Sequence, residues 1–222
     1  MDLLDVMRTT PAIRTFTGAP IDDAAIYGLL DAARFAPSGG NAQGWHVIVV
    51  RDQATQHQLA DLCQPTWNQY IAQRNAGERP FTVTHQTSVD LDAAANDHVD
   101  NPLFEGLDQA GAMLVVSVDL AAVAAMDKDL ERIAVVPGAS IYPFCQNIML
   151  AASNEGFGGV LTTFLARKEA AAQALLGLPA DHAVAAMIVL GHPVKRLTKL
   201  TRNPVEDFAT VDHFTGTPLT AS

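Results

Sequence analysis

Three short apolar segments constrain most strongly what this chain can fold into. They are residues 45–50, 113–118 and 183–190, and each is an apolar run rather than an alternation of apolar and polar residues. Strands of this kind are buried on both faces, as in a sheet that carries helices above and below it. Residues 159–165 are predicted to be a fourth strand. The sequence therefore predicts a sheet between two layers of helices.

Helical spacing of apolar residues, together with capping residues, predicts the helices around these strands. Asp22 and Asp52 are positioned to cap two helices at their N-termini, and Pro11 is positioned to help end the first helix. Gly177, followed by Pro179, marks the end of another. The predicted helices cover residues 3–10, 23–35, 53–62, 120–133, 140–155 and 168–176.

Residues 133–154 contain no charged side chain, and this length could span a bilayer. However, Pro137, Gly138 and Pro143 interrupt the run, and Gln146 and Asn147 add polar side chains within it. We therefore predict a buried helix with a polar lead-in and no membrane span.

Two segments fall outside the regular pattern. Residues 64–108 carry many Asp, Asn and Gln side chains with few aliphatic residues in any period, which indicates an excursion or lid. Residues 193–222 form a C-terminal extension without strong periodicity, and a tail of this length usually lies on another surface. The length of 222 residues suits one domain, so we predict a single domain over 1–222.

Charge and cysteine content limit the possible partners. The chain has 14 Lys and Arg against 24 Asp and Glu, a net charge of −10, which is unsuited to gripping nucleic acid or an anionic membrane. A phosphate-bearing ligand must therefore be held by a few placed cations. The two cysteines lack metal-ligand spacing, and Asp2 and Asp5 stand where a secretory leader needs positive charge. We expect a cytoplasmic protein.

Familiar catalytic motifs do not fit. Residues 36–40 (APSGG) approach the nucleophile elbow of hydrolases, but the serine follows a helix and precedes a strand, which is the reverse of the elbow. Residues 156–159 (GFGG) lack the third glycine of a dinucleotide fingerprint and also follow a helix. No pair of histidines or set of acids has metal-ligand spacing. We assign no catalytic side chain and no metal ligand.

One combination favours a ligand site. Arg8 and Arg14 bracket the end of the first helix, and the loop 38–41 (SGGN) offers small side chains beside backbone donors. Gln43 follows directly. Small residues let a flat ligand approach the main chain, while amide and hydroxyl groups pair with its polar edge. Taken separately, each arginine could equally form a surface ion pair, and the loop could be a simple tight connection.

Four segments occur along the chain in a fixed order. They are 7–16 (MRTTPAIRTF), 36–45 (APSGGNAQGW), 145–152 (CQNIMLAA) with 156–158 (GFG), and 178–179 (LP) before 188–193 (IVLGHP). The most specific is the loop of the form A-P-S-x-x-N-x-Q-x-W. Together, in this order, they resemble the nitroreductase family.

The resemblance implies an α+β, nitroreductase-like fold with a central mixed β-sheet flanked by helices. It implies an FMN-dependent homodimer that holds the flavin in a cleft between subunits, with each C-terminal extension wrapped over the partner. The implied reaction passes hydride from NAD(P)H through flavin N5 to a nitroaromatic or quinone-like small-molecule acceptor, with ping-pong kinetics.

The resemblance also implies a set of cofactor contacts. Arg14 and Arg202 resemble the family's phosphate-binding basic residues, and Ser38, Gly39 and Asn41 resemble its loop contacts to the flavin. Residues 160–163 resemble the strand that runs along the isoalloxazine. The candidate cofactor-binding residues are Arg8, Thr10, Arg14, Ser38, Gly39, Asn41, Gln43, Leu161, Thr162 and Arg202.

The chain departs from the family at Thr10, Pro11 and Thr15, which are uncharged where members usually carry basic residues. Because charge-assisted contacts to a phosphate are the strong ones, FMN is expected to bind more weakly than is typical. Two alternatives therefore remain open: a flavin-binding or degenerate relative without turnover, and a flavoenzyme of different reaction, such as a dehalogenase or dehydrogenase.

Overall fold

A computed structural model describes residues 2–197 and 199–221. The strands are β1 (Trp45–Val50), β2 (Ala112–Asp119), β3 (Gly158–Thr162) and β4 (His182–Gly191). The helices are α1 (Leu3–Thr9), α2 (Asp23–Ala33), α3 (Gln53–Asn75), α4 (Leu91–Asn96), α5 (Pro102–Glu105), α6 (Tyr142–Asn154) and α7 (Glu169–Leu176). The fold is α+β, as predicted.

The four strands form one antiparallel sheet in the order β1-β2-β4-β3. β2 and β4 lie in the middle and are buried along almost their whole length. Alternate side chains of these two strands enter different cores. One core contains α2 and α6, and the other contains α3 and α7. A parallel bridge between Ala12 and Gly159 adds a parallel pairing to the sheet edge.

The charge-free run divides into two elements. Its first part forms a 3₁₀ turn at Val136–Ser140, and α6 begins only at Tyr142. Phe144, Cys145 and Ile148 are buried from this helix against α2 and the sheet. No helix in the described residues is long and apolar enough to cross a membrane.

The helix predicted over 120–133 is wrong. After a short 3₁₀ turn at Leu120–Ala122 the chain runs as an irregular loop. The buried carboxylate of Asp127 accepts hydrogen bonds from Arg132 Nη1 at 2.6 Å and from the backbone N–H groups of Val135 and Val136. Asp side chains commonly compete with helix formation in this way. These contacts lower the pKa of Asp127 to about 2.

The helix that begins after Asp52 is longer than predicted, since α3 continues to Asn75. Pro65 removes one helical hydrogen bond, but the carbonyl left without it belongs to Asp61, a residue exposed to water. The later turns bury amides rather than aliphatic side chains, among them Asn68, Gln69 and Gln73. A search for apolar periodicity cannot detect such a face.

That amide face anchors the segment predicted to be a lid. Asn68 Nδ2 donates to Ala95 O at 3.0 Å, and its Oδ1 accepts from Val99 N at 3.2 Å. Gln69 Nε2 donates to Leu91 O at 2.9 Å. The residues after α3 are therefore fixed to the helix by hydrogen bonds from side-chain amides to the backbone.

The C-terminal extension makes few contacts with the rest of its own chain. Val194 N donates to Thr15 O at 3.2 Å, close to the bridge between Phe16 and Pro193. Farther on, the chain bends back on itself, with Thr210 paired to Pro218. Phe208 and Phe214 are 71% and 98% exposed. Such exposure of large apolar side chains is typical of a surface that another molecule covers.

Replacing Asn68 with Ala is expected to destabilise the protein by about 1–3 kcal/mol, because the partly buried backbone groups of Ala95 and Val99 lose their partner. Urea unfolding measures the loss, and hydrogen exchange should rise across 91–101. Asn96→Ala is the matched control, since Asn96 is exposed and, among the described residues, its side chain bonds only to Asp92 O. Equal stability of the two variants would contradict the anchoring role.

Candidate functional site

The loop between α2 and β1 has an unusual backbone. Gly39–Asn41 form one 3₁₀ turn, in which Gly40 has φ +59° and Asn41 has φ +54°; Gln43 has φ +52°. Side chains disfavour this left-handed region, so the conformation needs external support. Ser38 Oγ accepts a hydrogen bond from Gln43 N at 2.9 Å, which closes the loop on itself.

The loop remains open to ligands despite this internal bonding. Gly39, Asn41 and Gln43 are exposed, and Ser38 is half-buried. Gln43 Nε2 donates to Asn41 O at 3.3 Å, so the two amide-bearing residues lie side by side. The structure thus brings the four predicted loop residues together at one surface.

Basic side chains from α1 and from the C-terminal extension meet at one cavity. Arg8, Lys199 and Arg202 line one open cavity of about 510 Å³, and Asp5 lines it as well. In the described part of the chain none of these three basic side chains forms an ion pair. A group of unpaired cations in a chain with a net charge of −10 is an anion-binding feature.

Thr10 and Arg14 lie close to the start of β3. Ile13 N donates to Gly159 O at 2.7 Å, so the segment that carries Arg14 runs along the sheet edge. Arg14 is exposed. The hydroxyl of Thr10 donates back to Val6 O at 2.7 Å, which uses its proton within α1.

Arg196 occupies the neighbourhood of Thr10 and Pro11, the positions that lack basic side chains. It lines a small cavity with both, and its Nη2 donates to Ser153 O at 2.6 Å and to Phe157 O at 3.2 Å. The guanidinium therefore also binds the carbonyls at the C-terminal end of α6.

Sequence reasoning missed Lys199 and Arg196. A signal was present, because four of the 14 Lys and Arg residues lie within 195–202 and no acid interrupts them. In a chain this acidic, such a segment is unusual enough to single out.

The strand β3 supplies the remaining candidates. Leu161 and Thr162 pair with Ile188 and Met187 of β4, so one side of β3 is fully bonded. The other side is the sheet edge, and past Gly159 no strand of the described chain pairs with it. Gly159 directs its backbone groups away from β4, toward the segment that carries Arg14, and by strand alternation Leu161 does the same, whereas Thr162 faces Met187. The backbone of Leu161 is thus available to a planar ligand, as an edge strand allows.

The sheet separates these candidates into two groups. The loop 38–43 lies just before Trp45, which pairs with Val118 near one end of β2. Gly159, beside Arg14, pairs with Leu190 of β4, and Leu190 pairs with Ala112 at the other end of β2. Strands lie about 4.8 Å apart and residues advance about 3.3 Å, so three strands across and six residues along separate the groups by roughly 25 Å. One chain does not bring the loop and Arg14 together.

An apolar surface lies beside α6. A groove of about 640 Å³ runs between α1, α2 and α6, and a second cavity of about 580 Å³ lies between α2 and β1. Leu3, which lines the groove, and Tyr27, which lines the second cavity, are both more than half exposed.

The reactive side chains outside these groups offer little chemistry. Burial raises the pKa of the Cys63 and Cys145 thiols to about 12, so neither is a thiolate at neutral pH. The described residues contain no group of three or more His, Cys, Asp or Glu side chains that could hold a metal ion.

The Nitroreductase family model matches residues 7–192. A Thermus thermophilus protein described as an NADH dehydrogenase is 27% identical over 195 residues, which cover 88% of each chain.

Two solved structures share the fold at lower identity. One is the Vibrio harveyi NADPH:FMN oxidoreductase in complex with NAD⁺, with a TM-score of 0.66, 21% identity, and coverage of 96% of this chain and 77% of that chain. The other is a BluB-like flavoprotein from Clostridium difficile 630, with a TM-score of 0.69, 22% identity, and coverage of 95% and 98%.

Proposed function

Because the chain belongs to the nitroreductase family, we propose that it is an FMN-dependent NAD(P)H oxidoreductase that reduces nitroaromatic or quinone-like acceptors. The observation that carries this proposal is the exposed edge of β3 beside Arg14, which offers a planar ligand both backbone groups and a nearby cation. The Vibrio harveyi protein with this fold is an NADPH:FMN oxidoreductase, which supports the choice of cofactor.

The chemistry of the donor groups fits FMN. A phosphate monoester is bound most strongly by charge-assisted contacts, and Arg8, Lys199 and Arg202 line one cavity. Asp5 also lines it, but within the described residues it forms no ion pair with them. Arg14 adds a further guanidinium near β3. We assign these four basic residues to the phosphate, and the backbone of Leu161 to the edge of the flavin ring.

Bound FMN would supply the redox chemistry, accepting hydride from NAD(P)H and passing it to the acceptor. The chain's own residues bind and orient. We propose that the N–H of Leu161, at the free edge of β3, stabilises negative charge on a ring beside it, as a donor of an oxyanion hole does. We assign no side chain as nucleophile or general base.

We further propose that two copies of the chain complete each site. The loop 38–43 lies roughly 25 Å from the Arg14 end of the sheet, which exceeds the length of one FMN molecule. A second copy could place its loop beside this chain's β3. The apolar groove along α6 and the exposed Phe208 and Phe214 provide surfaces that such a homodimer would cover.

One observation favours a second candidate, a flavin-binding relative without turnover. Position 10 carries no charge, and the hydroxyl of Thr10 is already bonded to Val6 O. The phosphate therefore has fewer cations than usual on this side. Tight FMN binding without reduction of any acceptor would support this candidate over the oxidoreductase.

The purified protein is expected to be yellow, with about one FMN per subunit in its absorption spectrum. It should oxidise NADPH or NADH when menadione or nitrofurazone is added, because bound flavin links donor and acceptor. Colourless protein that neither takes up added FMN nor oxidises the nicotinamide would remove the proposal.

Arg14→Ala should weaken FMN binding about 10- to 100-fold, since a charge-assisted hydrogen bond contributes about 1.5–3 kcal/mol. Fluorescence titration measures the Kd. Arg79→Ala is the control, because Arg79 is exposed in the lid segment and forms no ion pair within the described residues. Unchanged affinity of Arg14→Ala would show that the phosphate lies elsewhere.

Phe214→Ser should weaken the homodimer without unfolding the subunit, because the side chain is 98% exposed within one chain. Burial of a Phe contributes about 1.5–3 kcal/mol and a symmetric dimer buries two, so a loss of at least about 100-fold in dimer affinity is expected. Analytical ultracentrifugation measures it, with Val83→Ser as control, since Val83 is 68% exposed in the lid segment. A dimer as tight as the wild type would contradict the role of the tail.

A further inference from the structure

We propose that Ser140 is a positioning residue that holds the loop 38–43 in the conformation required for flavin binding. The proposal rests on the proposed function for the identity of the ligand. The contact itself is independent of it: Gly39 N donates to Ser140 Oγ at 3.1 Å, across 101 residues of sequence.

The contact reaches the loop where support is needed. Gly40, Asn41 and Gln43 all have positive φ, which is costly for the two side-chain-bearing residues. The internal bond from Gln43 N to Ser38 Oγ closes the loop but does not attach it to the domain. Ser140 provides, in the described residues, the one side-chain hydrogen bond that reaches 38–43 from outside the loop.

Ser140 does not perform the usual task of a serine in its position. A serine at the N-cap position commonly accepts a hydrogen bond from the first helical N–H groups. Here the N-cap of α6 is Ile141, so Ser140 lies one residue too early, and its hydroxyl bonds Gly39 instead. Ser140 is only 6% exposed, so water does not readily replace this acceptor.

Both partners are small for a structural reason. A Cβ on Gly39 would lie 3.3 Å from Ser140 Oγ and 3.6 Å from Ala124 Cβ. The first distance is tighter than nine in ten real Cβ contacts, so a side chain at position 39 would require a shift of a few tenths of an ångström between the loop and the Ser140 hydroxyl. The absence of a side chain lets the backbone N–H reach the hydroxyl.

Ser140 is itself held by a contact from the irregular loop that the structure has in place of the helix predicted over 120–133. The carboxylate of Asp127 accepts the N–H groups of Val135 and Val136, at the start of the 3₁₀ turn that ends at Ser140. Asp127 is 4% exposed. Asp127 therefore fixes the start of the 3₁₀ turn, the turn positions Ser140, and Ser140 holds the backbone of Gly39.

The test compares Ser140→Ala with Ser140→Thr, which keeps a hydroxyl, in the full-length protein. The alanine variant should raise the FMN Kd about 3- to 30-fold and should increase hydrogen exchange at 39–43, because Gly39 N–H loses its acceptor. The threonine variant should restore most of the FMN affinity and most of the protection from hydrogen exchange at 39–43. If Ser140 contributed only to general stability, the increase in hydrogen exchange would not be confined to 39–43, and threonine would not restore FMN binding.

Ser117→Ala is the matched control. Ser117 is also buried, and its hydroxyl lies 3.2 Å from His182 Nδ1 on β4; among the described residues no hydrogen bond joins it to the loop. It should leave the FMN Kd and exchange at 39–43 unchanged. If Ser140→Ala does not fold, Gly39→Ala tests the same contact from the other side and should produce the same two changes.

The outcomes separate the two proposals. Wild-type affinity and wild-type exchange in Ser140→Ala overturn the role of Ser140. If wild-type protein binds no FMN, the proposed function fails, while raised exchange at 39–43 in Ser140→Ala still supports the anchor. An equal effect of Ser117→Ala on Kd would also overturn the assignment to Ser140.

Discussion

The register of the antiparallel sheet is the constraint on which the rest of this molecule depends. β2 and β4 are buried on both faces, so a shift by one residue would turn each apolar side chain toward the wrong core. The same register also determines at which corners of the sheet the connecting loops and the N-terminal segment lie. It places the glycine-rich loop at one corner of the sheet and the first arginines at the opposite corner.

Elements that depend on local chemistry were predictable from the sequence. The central strands follow from their apolar runs, and Asp22 and Asp52 cap α2 and α3 through bonds to N–H groups three residues ahead. Gly177 has φ +67° at the end of α7, as its position before Pro179 suggested. In each case neighbouring residues alone determine the outcome.

Elements decided by distant or polar contacts were not predictable. The later turns of α3 bury amides whose partners lie on a separate segment, so no periodic apolar signal marks them. The loop after β2 is shaped by one buried carboxylate rather than by the apolar side chains that suggested a helix. At the site, Arg8 and Arg202 were both predicted as cofactor contacts, and the basic segment 195–202 could have indicated Lys199. The contact of Ser140 with Gly39 joins segments 101 residues apart and has no local signal.

The concentration of basic residues at 195–202 gives the molecule a strongly uneven electric field. An anion approaching most of this acidic surface is repelled, while near that segment it meets attraction that extends about 8 Å at physiological ionic strength. Such a field orients a ligand with its charged end forward before any contact forms. Association of phosphate-bearing ligands should consequently slow as salt is added, even though the protein as a whole carries the same sign of charge as they do.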